Sequence, residues 1–119
     1  MNIVVVDDEP ELLDMVGAVL ECEGHEVTAF AHPLDAARLR PSGRRTDIFL
    51  LDLMLPELSG IALATRLHDT GFEGTPKIGM SASRDMLRLA RESELFNDTL
   101  EKPFDIDALL GCVDRYAFA

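Results

Sequence analysis

Ile48-Phe49-Leu50-Leu51-Asp52 decides how this chain is read: four apolar residues in a row, then an acid. A run without polar alternation suits a strand covered on both faces, and such strands belong to parallel sheets packed between helices. Working outward, short apolar or β-branched runs predict strands over 2–6, 26–30, 47–51, 77–80 and 98–100. Helical patterns separate them. Pro10 opens a first helix with Leu12, Leu13, Val16 and Leu20 at helical spacing, and Gly24 closes it. Pro33 opens a shorter one carrying Leu34, Ala37 and Leu39, ended by Pro41-Ser42-Gly43 before an exposed Arg44-Arg45. A third is expected from about Ser59 to His68 with Gly71 at its end. A fourth begins near Ser83 with Met86, Leu87, Leu89 and Ala90 inward. Asp105 caps a fifth that carries Ile106, Leu109, Leu110 and Val113. Alternating strands and helices imply an α/β fold, a doubly wound five-stranded parallel sheet, and the order 2-1-3-4-5 makes neighbours of strands 1, 3, 4 and 5.

The 119 residues suit one domain spanning 1–119. No apolar run approaches the roughly 20 residues a bilayer span needs, and the start lacks a basic leader, so the chain is expected to be cytoplasmic and free of the membrane. With 22 acidic against 11 basic residues, the net charge of −11 argues against direct nucleic-acid binding. Cys22 and Cys112 fall in apolar helical patterns and read as reduced core residues. His25, His32 and His68 fall in turns or at helix ends and read as solvated, without zinc-ligand spacing.

Sites in open α/β sheets form beyond the carboxyl ends of the strands. Asp7 and Asp8 follow the first predicted strand, Asp52 the third, Ser81 the fourth and Lys102 the fifth. An acidic pair after a strand is, on its own, more often a helix cap than a metal site. Acids, a hydroxyl and a lysine after four different strands are harder to obtain from capping. Carboxylates gathered there repel, at about 4 kcal/mol per pair roughly 4 Å apart for an effective dielectric near 20. Lys102 offsets part of this, and Mg²⁺ matches several carboxylate oxygens while keeping open positions. A carboxylate can act as nucleophile toward phosphorus while metal and lysine neutralise the transferred oxygens. Asp52, after the most apolar strand, is the expected acceptor; Asp7 and Asp8 are better placed to hold metal, and Ser81 to donate to the phosphoryl group.

Four segments then carry a resemblance: Val4-Val5-Val6-Asp7-Asp8-Glu9-Pro10, Leu50-Leu51-Asp52-Leu53-Met54-Leu55-Pro56-Glu57-Leu58-Ser59-Gly60, Met80-Ser81-Ala82 and Glu101-Lys102-Pro103-Phe104. In combination, over essentially the whole chain, they resemble the receiver domain of bacterial two-component response regulators, which has a flavodoxin-like sheet. The resemblance implies phosphorylation of Asp52 by a histidine kinase, a phosphotransfer protein or a small phosphodonor. It also implies Mg²⁺ bound by Asp8, Asp52, the Met54 backbone carbonyl and, through water, Asp7. Lys102 would pair with the phosphoryl group, Ser81 would move toward it, Pro103 would follow a cis peptide bond, and Pro56 and Gly60 would shape the loop beside Asp52. Met54 and Ser83 take positions that flank the water attacking the aspartyl phosphate.

The pattern also departs from that family. Thr99 stands where a Tyr or Phe is usual, Leu95-Phe96 where Gly-Ala is usual, and Gly79 where a larger apolar residue is common. Phe96 or a rearranged fourth helix is expected to take the missing ring's role. The output is expected to be a protein contact on the face made by the fourth helix, fifth strand and fifth helix, with a phosphorylation-dependent homodimer as a further expectation there. An alternative is a phosphatase of the haloacid dehalogenase type, which also forms an aspartyl phosphate with Mg²⁺, but its nucleophile follows the first strand in an Asp-x-Asp arrangement. A flavodoxin-like FMN carrier is disfavoured, because Asp7-Asp8-Glu9 would repel the FMN phosphate.

Overall fold

Apolar strands and apolar helix stripes draw the chain into a layered α/β arrangement, seen in a computed structural model that describes residues 1–43 and 45–117. The strands are β1 (Asn2–Val6), β2 (Glu26–Phe30), β3 (Ile48–Asp52), β4 (Lys77–Ser81) and β5 (Asp98–Glu101). They form one parallel sheet in the order β2-β1-β3-β4-β5, as expected. The helices are α1 (Pro10–Cys22), α2 (Pro33–Ala36), α3 (Gly60–Leu67), α4 (Arg84–Glu92) and α5 (Ile106–Ala117). A π-turn, His68–Phe72, extends α3 to a left-handed Gly71.

Alternation along the strands divides the core into two layers. Ile3, Val5, Ile48, Leu50, Ile78 and Met80 pack against Val16 and Leu20 of α1 and Leu109, Cys112 and Val113 of α5. Val4, Val6, Phe49 and Leu51 face Ala36, Leu63, Ala64, Leu67 and Phe72 on the other side. Leu53, Leu87 and Ala90 anchor α4. β3 is buried along its whole length, which is why it reads as an unbroken apolar run.

Several expectations need correction. β3 begins one residue later than the sequence suggests, because Asp47 is spent on the start of β1: its N–H donates to Asn2 O and its carboxylate accepts from Asn2 N–H. α2 stops at Ala36 rather than running through Leu39. After Ala37 N–H bonds Pro33 O the spacing tightens to three residues, Arg38 N–H to Asp35 O and Leu39 N–H to Ala36 O, and the Arg40 guanidinium takes the Ala37 carbonyl. Leu89 is exposed, since it lies about 200° around α4 from the inward Leu87. Cys22 is exposed for the same reason relative to Leu20, while Cys112 is buried and its thiol is pushed up to about 12, first by burial and then by Asp98. Ile106, the first residue of α5, is also exposed. His68 is exposed, but His25 is half-buried against the N-terminal amine, and His32 caps α2 through Nδ1. Arg45 is exposed and pairs with Asp47; Arg44 lies outside the described residues.

Candidate functional site

Asp7 is the first residue past β1, and it is fully buried. Its N–H donates to Phe30 O, and its Oδ1 accepts the Glu9 N–H at 2.9 Å, so the carboxylate is fixed in the turn that leads into α1. Asp8, next along, is exposed. Asp52 ends β3 with 4% exposure, held in register opposite Met80. One ligand oxygen from each of Asp7, Asp8 and Asp52 can be chosen so that all lie within 4.8 Å of one another. That donor set, hard oxygens with one exposed flank, fits a small divalent cation that keeps some of its water.

Lys102 ends the constellation from the other side. Its Nζ donates to Asp7 Oδ2 at 2.7 Å and Asp52 Oδ2 at 3.4 Å, and lies 3.5 Å from Glu9 Oε1. Burial alone lowers the ammonium's pKa, but the Asp7 hydrogen bond and the charges of Asp52, Asp7 and Glu9 outweigh it and raise the value. Asp52 is pushed up from the usual carboxylate range chiefly by burial and also by Asp7; the Met54 N–H, which donates to Oδ1 at 3.1 Å, and Lys102 work in the opposite direction. Asp52 is thus a buried carboxylate whose charged form is favoured by one cation, Lys102, and one amide, Met54 N–H.

The surrounding loops follow from local chemistry. A Cβ on Gly60 would lie 2.2 Å from Asp52 O and 2.7 Å from Leu53 Cα, both backbone atoms, so only glycine lets α3 start against the end of β3. Gly60 N–H donates to Leu53 O, Pro56 O accepts from Leu58 N–H, and Ser59 caps α3 through Ala62 N–H. Met54 projects into solvent at 61% exposure beside Asp52. Glu57 adopts a left-handed φ of 64° and pairs with His32 at 3.4 Å. Ser81 is buried at the end of β4, and its Oγ accepts the Ser83 N–H at 3.0 Å, while Ser83 Oγ caps α4 through Met86 N–H. Lys102 N–H donates to Ser81 O, and the Lys102-Pro103 bond is cis.

Asp7, Asp8, Asp52 and Lys102 thus come together, with Ser81 joined to Lys102 through the backbone and Met54 and Ser83 at the rim. Thr99 does not reach the site. It lies on β5 opposite Gly79 and is tied to Arg91, while Phe96 packs over Gly79. Glu9, one residue past the acidic pair, also faces Lys102, a pairing for which its position in the sequence is the available signal. Arg91 carries no such signal, since its bond to Thr99 depends on how α4 lies against β5.

Comparison with known proteins agrees with this geometry. The family model described as "Response regulator receiver domain" matches residues 3–114. A 14.6 kDa protein of Leptolyngbya boryana, without a described function, is 33% identical over 121 residues, covering 100% of this chain and 92% of its own length. The probable transcriptional regulatory protein TcrX of Mycobacterium tuberculosis is 32% identical over 112 residues; the match takes in 92% of this chain but 47% of that regulator, so this chain spans less than half of it. The response regulator protein TrrA of Thermotoga maritima, solved in complex with Mg²⁺ and BeF, superposes with a TM-score of 0.84 at 26% identity, over 97% of each chain. These matches give the dehalogenase-type alternative no support.

Proposed function

Since this chain belongs to the response regulator receiver family, we propose that it is a phosphoacceptor switch: Asp52 takes up a phosphoryl group, and the altered surface changes its protein contacts. The observation that carries the reading is Lys102 Nζ set between Asp7 and Asp52, with Asp8 beside them. An Asp52 carboxylate oxygen forms the new bond to phosphorus as the donor's bond to phosphorus breaks, and the leaving nitrogen or oxygen keeps that electron pair. Asp7, Asp8 and Asp52, with the Met54 carbonyl, would hold Mg²⁺, which when bound supplies positive charge to the phosphoryl oxygens. Lys102 screens the same oxygens from the opposite side. The Ser81 hydroxyl then turns to donate to a phosphoryl oxygen, a charge-assisted bond stronger than the one it accepts from Ser83. Met54, being apolar, cannot orient a water toward the acyl phosphate as a polar residue would, and Ser83 is the hydroxyl nearest that role.

The chain accepts one phosphoryl group per cycle and so acts as a regulator rather than a turnover enzyme. The donor is a histidine kinase or phosphotransfer protein, and the downstream partner is a protein that reads the α4, β5 and α5 face, where a homodimer is also expected. A net charge of −11 favours protein partners over nucleic acid. No described helix is long and apolar enough to cross a membrane, and a cytoplasmic setting is proposed with the kinase. Intact mass after incubation with acetyl phosphate tests the reading. The expected outcome is one added phosphoryl group, dependent on Mg²⁺ and absent from Asp52→Asn; equal labelling of parent and variant would overturn it.

A further inference from the structure

α4 is strapped to β5 by two guanidinium groups. Arg84 Nε reaches Glu101 Oε1 at 3.1 Å, and Arg91 Nη1 donates to Thr99 Oγ1 at 3.0 Å. The spacing is self-consistent: residues seven apart share a face of a helix, and residues two apart share a face of a strand. The two straps differ in chemistry, one an ion pair and one a bond to a neutral hydroxyl, and both lie at the surface. Both members of the Arg84–Glu101 pair are solvent-exposed, at 89% and 50% of their side chains, where ion pairs count for little. The Arg91–Thr99 bond also lies at the surface, with Arg91 exposed and Thr99 half-buried, and its acceptor is a neutral hydroxyl on a short branched side chain.

The same helix is anchored at its other end by the site. Ser83 N–H donates to Ser81 Oγ, and Ser83 Oγ receives Met86 N–H, so the Ser81 hydroxyl holds the first turn of α4. Beneath the helix, a Cβ on Gly79 would come within 3.0 Å of Leu53 Cδ2 and 3.3 Å of Phe96 Cδ1. Phe96 and Leu53 therefore occupy the space that a side chain at position 79 would need, and they close that face of the sheet. The Ser81–Ser83 bond and the Arg91–Thr99 bond lie at the two ends of one helix, α4.

We propose that Arg91 is a positioning residue that couples the state of Ser81 to the α4–β5 surface through its bond to Thr99. This rests on the phosphoacceptor reading above. In the unphosphorylated protein the Ser81–Ser83 bond and the Arg91–Thr99 bond hold α4 at both ends. When the Ser81 side chain swings so that its hydroxyl donates to a phosphoryl oxygen, Oγ moves away from the Ser83 N–H, the first anchor is lost, α4 shifts, and Arg91 leaves Thr99. The guanidinium released is then part of the surface presented to a partner. Because the bond exists only in the resting state, it opposes the active one, and weakening it must favour whatever binds the active state.

The test uses beryllofluoride with Mg²⁺ as the phosphoryl probe, titrated into the full chain and followed by amide and Arg91 guanidinium resonances. Thr99→Val keeps the branched shape and removes the acceptor; Thr99→Ser keeps the acceptor. Thr99→Val is expected to bind the probe roughly two- to tenfold more tightly than the parent, the range of one net hydrogen bond. Its probe-free amides over residues 84–92 are expected to lie part-way toward the bound positions, whereas Thr99→Ser behaves as the parent. A merely structural role for Thr99 would lower urea stability without tightening probe binding. Equal affinity in all three chains, or an Arg91 resonance unmoved by the probe in the parent, would overturn the coupling while leaving phosphorylation intact. No probe binding by any chain would overturn the phosphoacceptor reading and the coupling together.

Discussion

Two lysines sit low in this sheet, at opposite ends, and they are held in opposite ways. Lys102, at the carboxyl end, is surrounded by Asp7, Asp52 and Glu9, and its pKa is raised once those carboxylates outweigh burial. Lys77, at the amino end of β4, is 2% exposed, and its ammonium donates to the carbonyls of Phe72 and Thr75. No carboxylate among the described residues pairs with it; burial lowers its pKa, and Glu73 offsets only part of that. Its Nζ also lies 6.0 Å from the Phe49 ring centroid. One end of the sheet concentrates opposite charges, three carboxylates around one ammonium. The other uses a single charge to tie down the turn between α3 and β4. Burial of a lysine is thus not a mark of function; the acceptors around it are.

The largest expected effect comes from removing the cation that faces the carboxylates. Lys102→Met should destabilise the metal-free protein by about 3 kcal/mol, the low end for a buried charge left without its partner because Lys102 keeps some exposure. Acetyl phosphate labelling should fall about a hundredfold or more. Urea unfolding at pH 7 and labelling rates check both, and an unaltered rate would remove Lys102 from the chemistry.

Alkaline titration sharpens the contrast, because the two lysines carry opposite signs. Lys102 has a raised folded-state pKa, so its stabilisation is present below its unfolded value near 10.5 and is lost as pH rises through the folded value. Lys77 has a depressed one, so its cost is present at low pH and is relieved as pH rises toward 10.5. Parent minus Lys102→Met stability should therefore fall with pH, and parent minus Lys77→Met should rise, each by no more than about 1.4 kcal/mol per pH unit. Urea midpoints from pH 7 to 11 without metal measure both, and slopes of the same sign would break the comparison.

The smallest effect is expected at the amino end itself. Lys77→Met keeps the apolar stem over Phe49 and removes two hydrogen bonds together with the cost of a buried charge, so stability should change by about 1 kcal/mol or less. Labelling of Asp52 should be unchanged. A loss as large as that of Lys102→Met would mean that the turn between α3 and β4 matters to the site.

Much of this was legible before any coordinates. Unbroken apolar runs such as 48–51 report strands buried on both faces, and the acids, hydroxyl and lysine that follow four strands must meet once the sheet order is known. What was not legible depends on angle and on partners. Apolar residues two apart on a helix lie about 200° from each other, so hydrophobicity alone does not tell Leu89 from Leu87, or Cys22 from Leu20. The early end of α2 lies in the tightening of its bonds after Ala37, several residues ahead of the Pro41 that marks the break in the sequence. Lys77 reads as an ordinary strand opening, and nothing local says that its ammonium turns back to Phe72 and Thr75. Thr99 was legible as a departure, but its bond to Arg91 was not, because it depends on how α4 is laid across β5.

Locating the phosphoryl group on the chain would decide the account. Protein labelled with acetyl phosphate and Mg²⁺ would be treated with borohydride, which reduces an acyl phosphate to an alcohol, and the peptides weighed. Conversion of Asp52 to homoserine, with Asp7 and Asp8 unchanged, is the expected result. Conversion at Asp7 or Asp8 instead, or a phosphoryl group on a residue outside the Lys102 cluster, would contradict it.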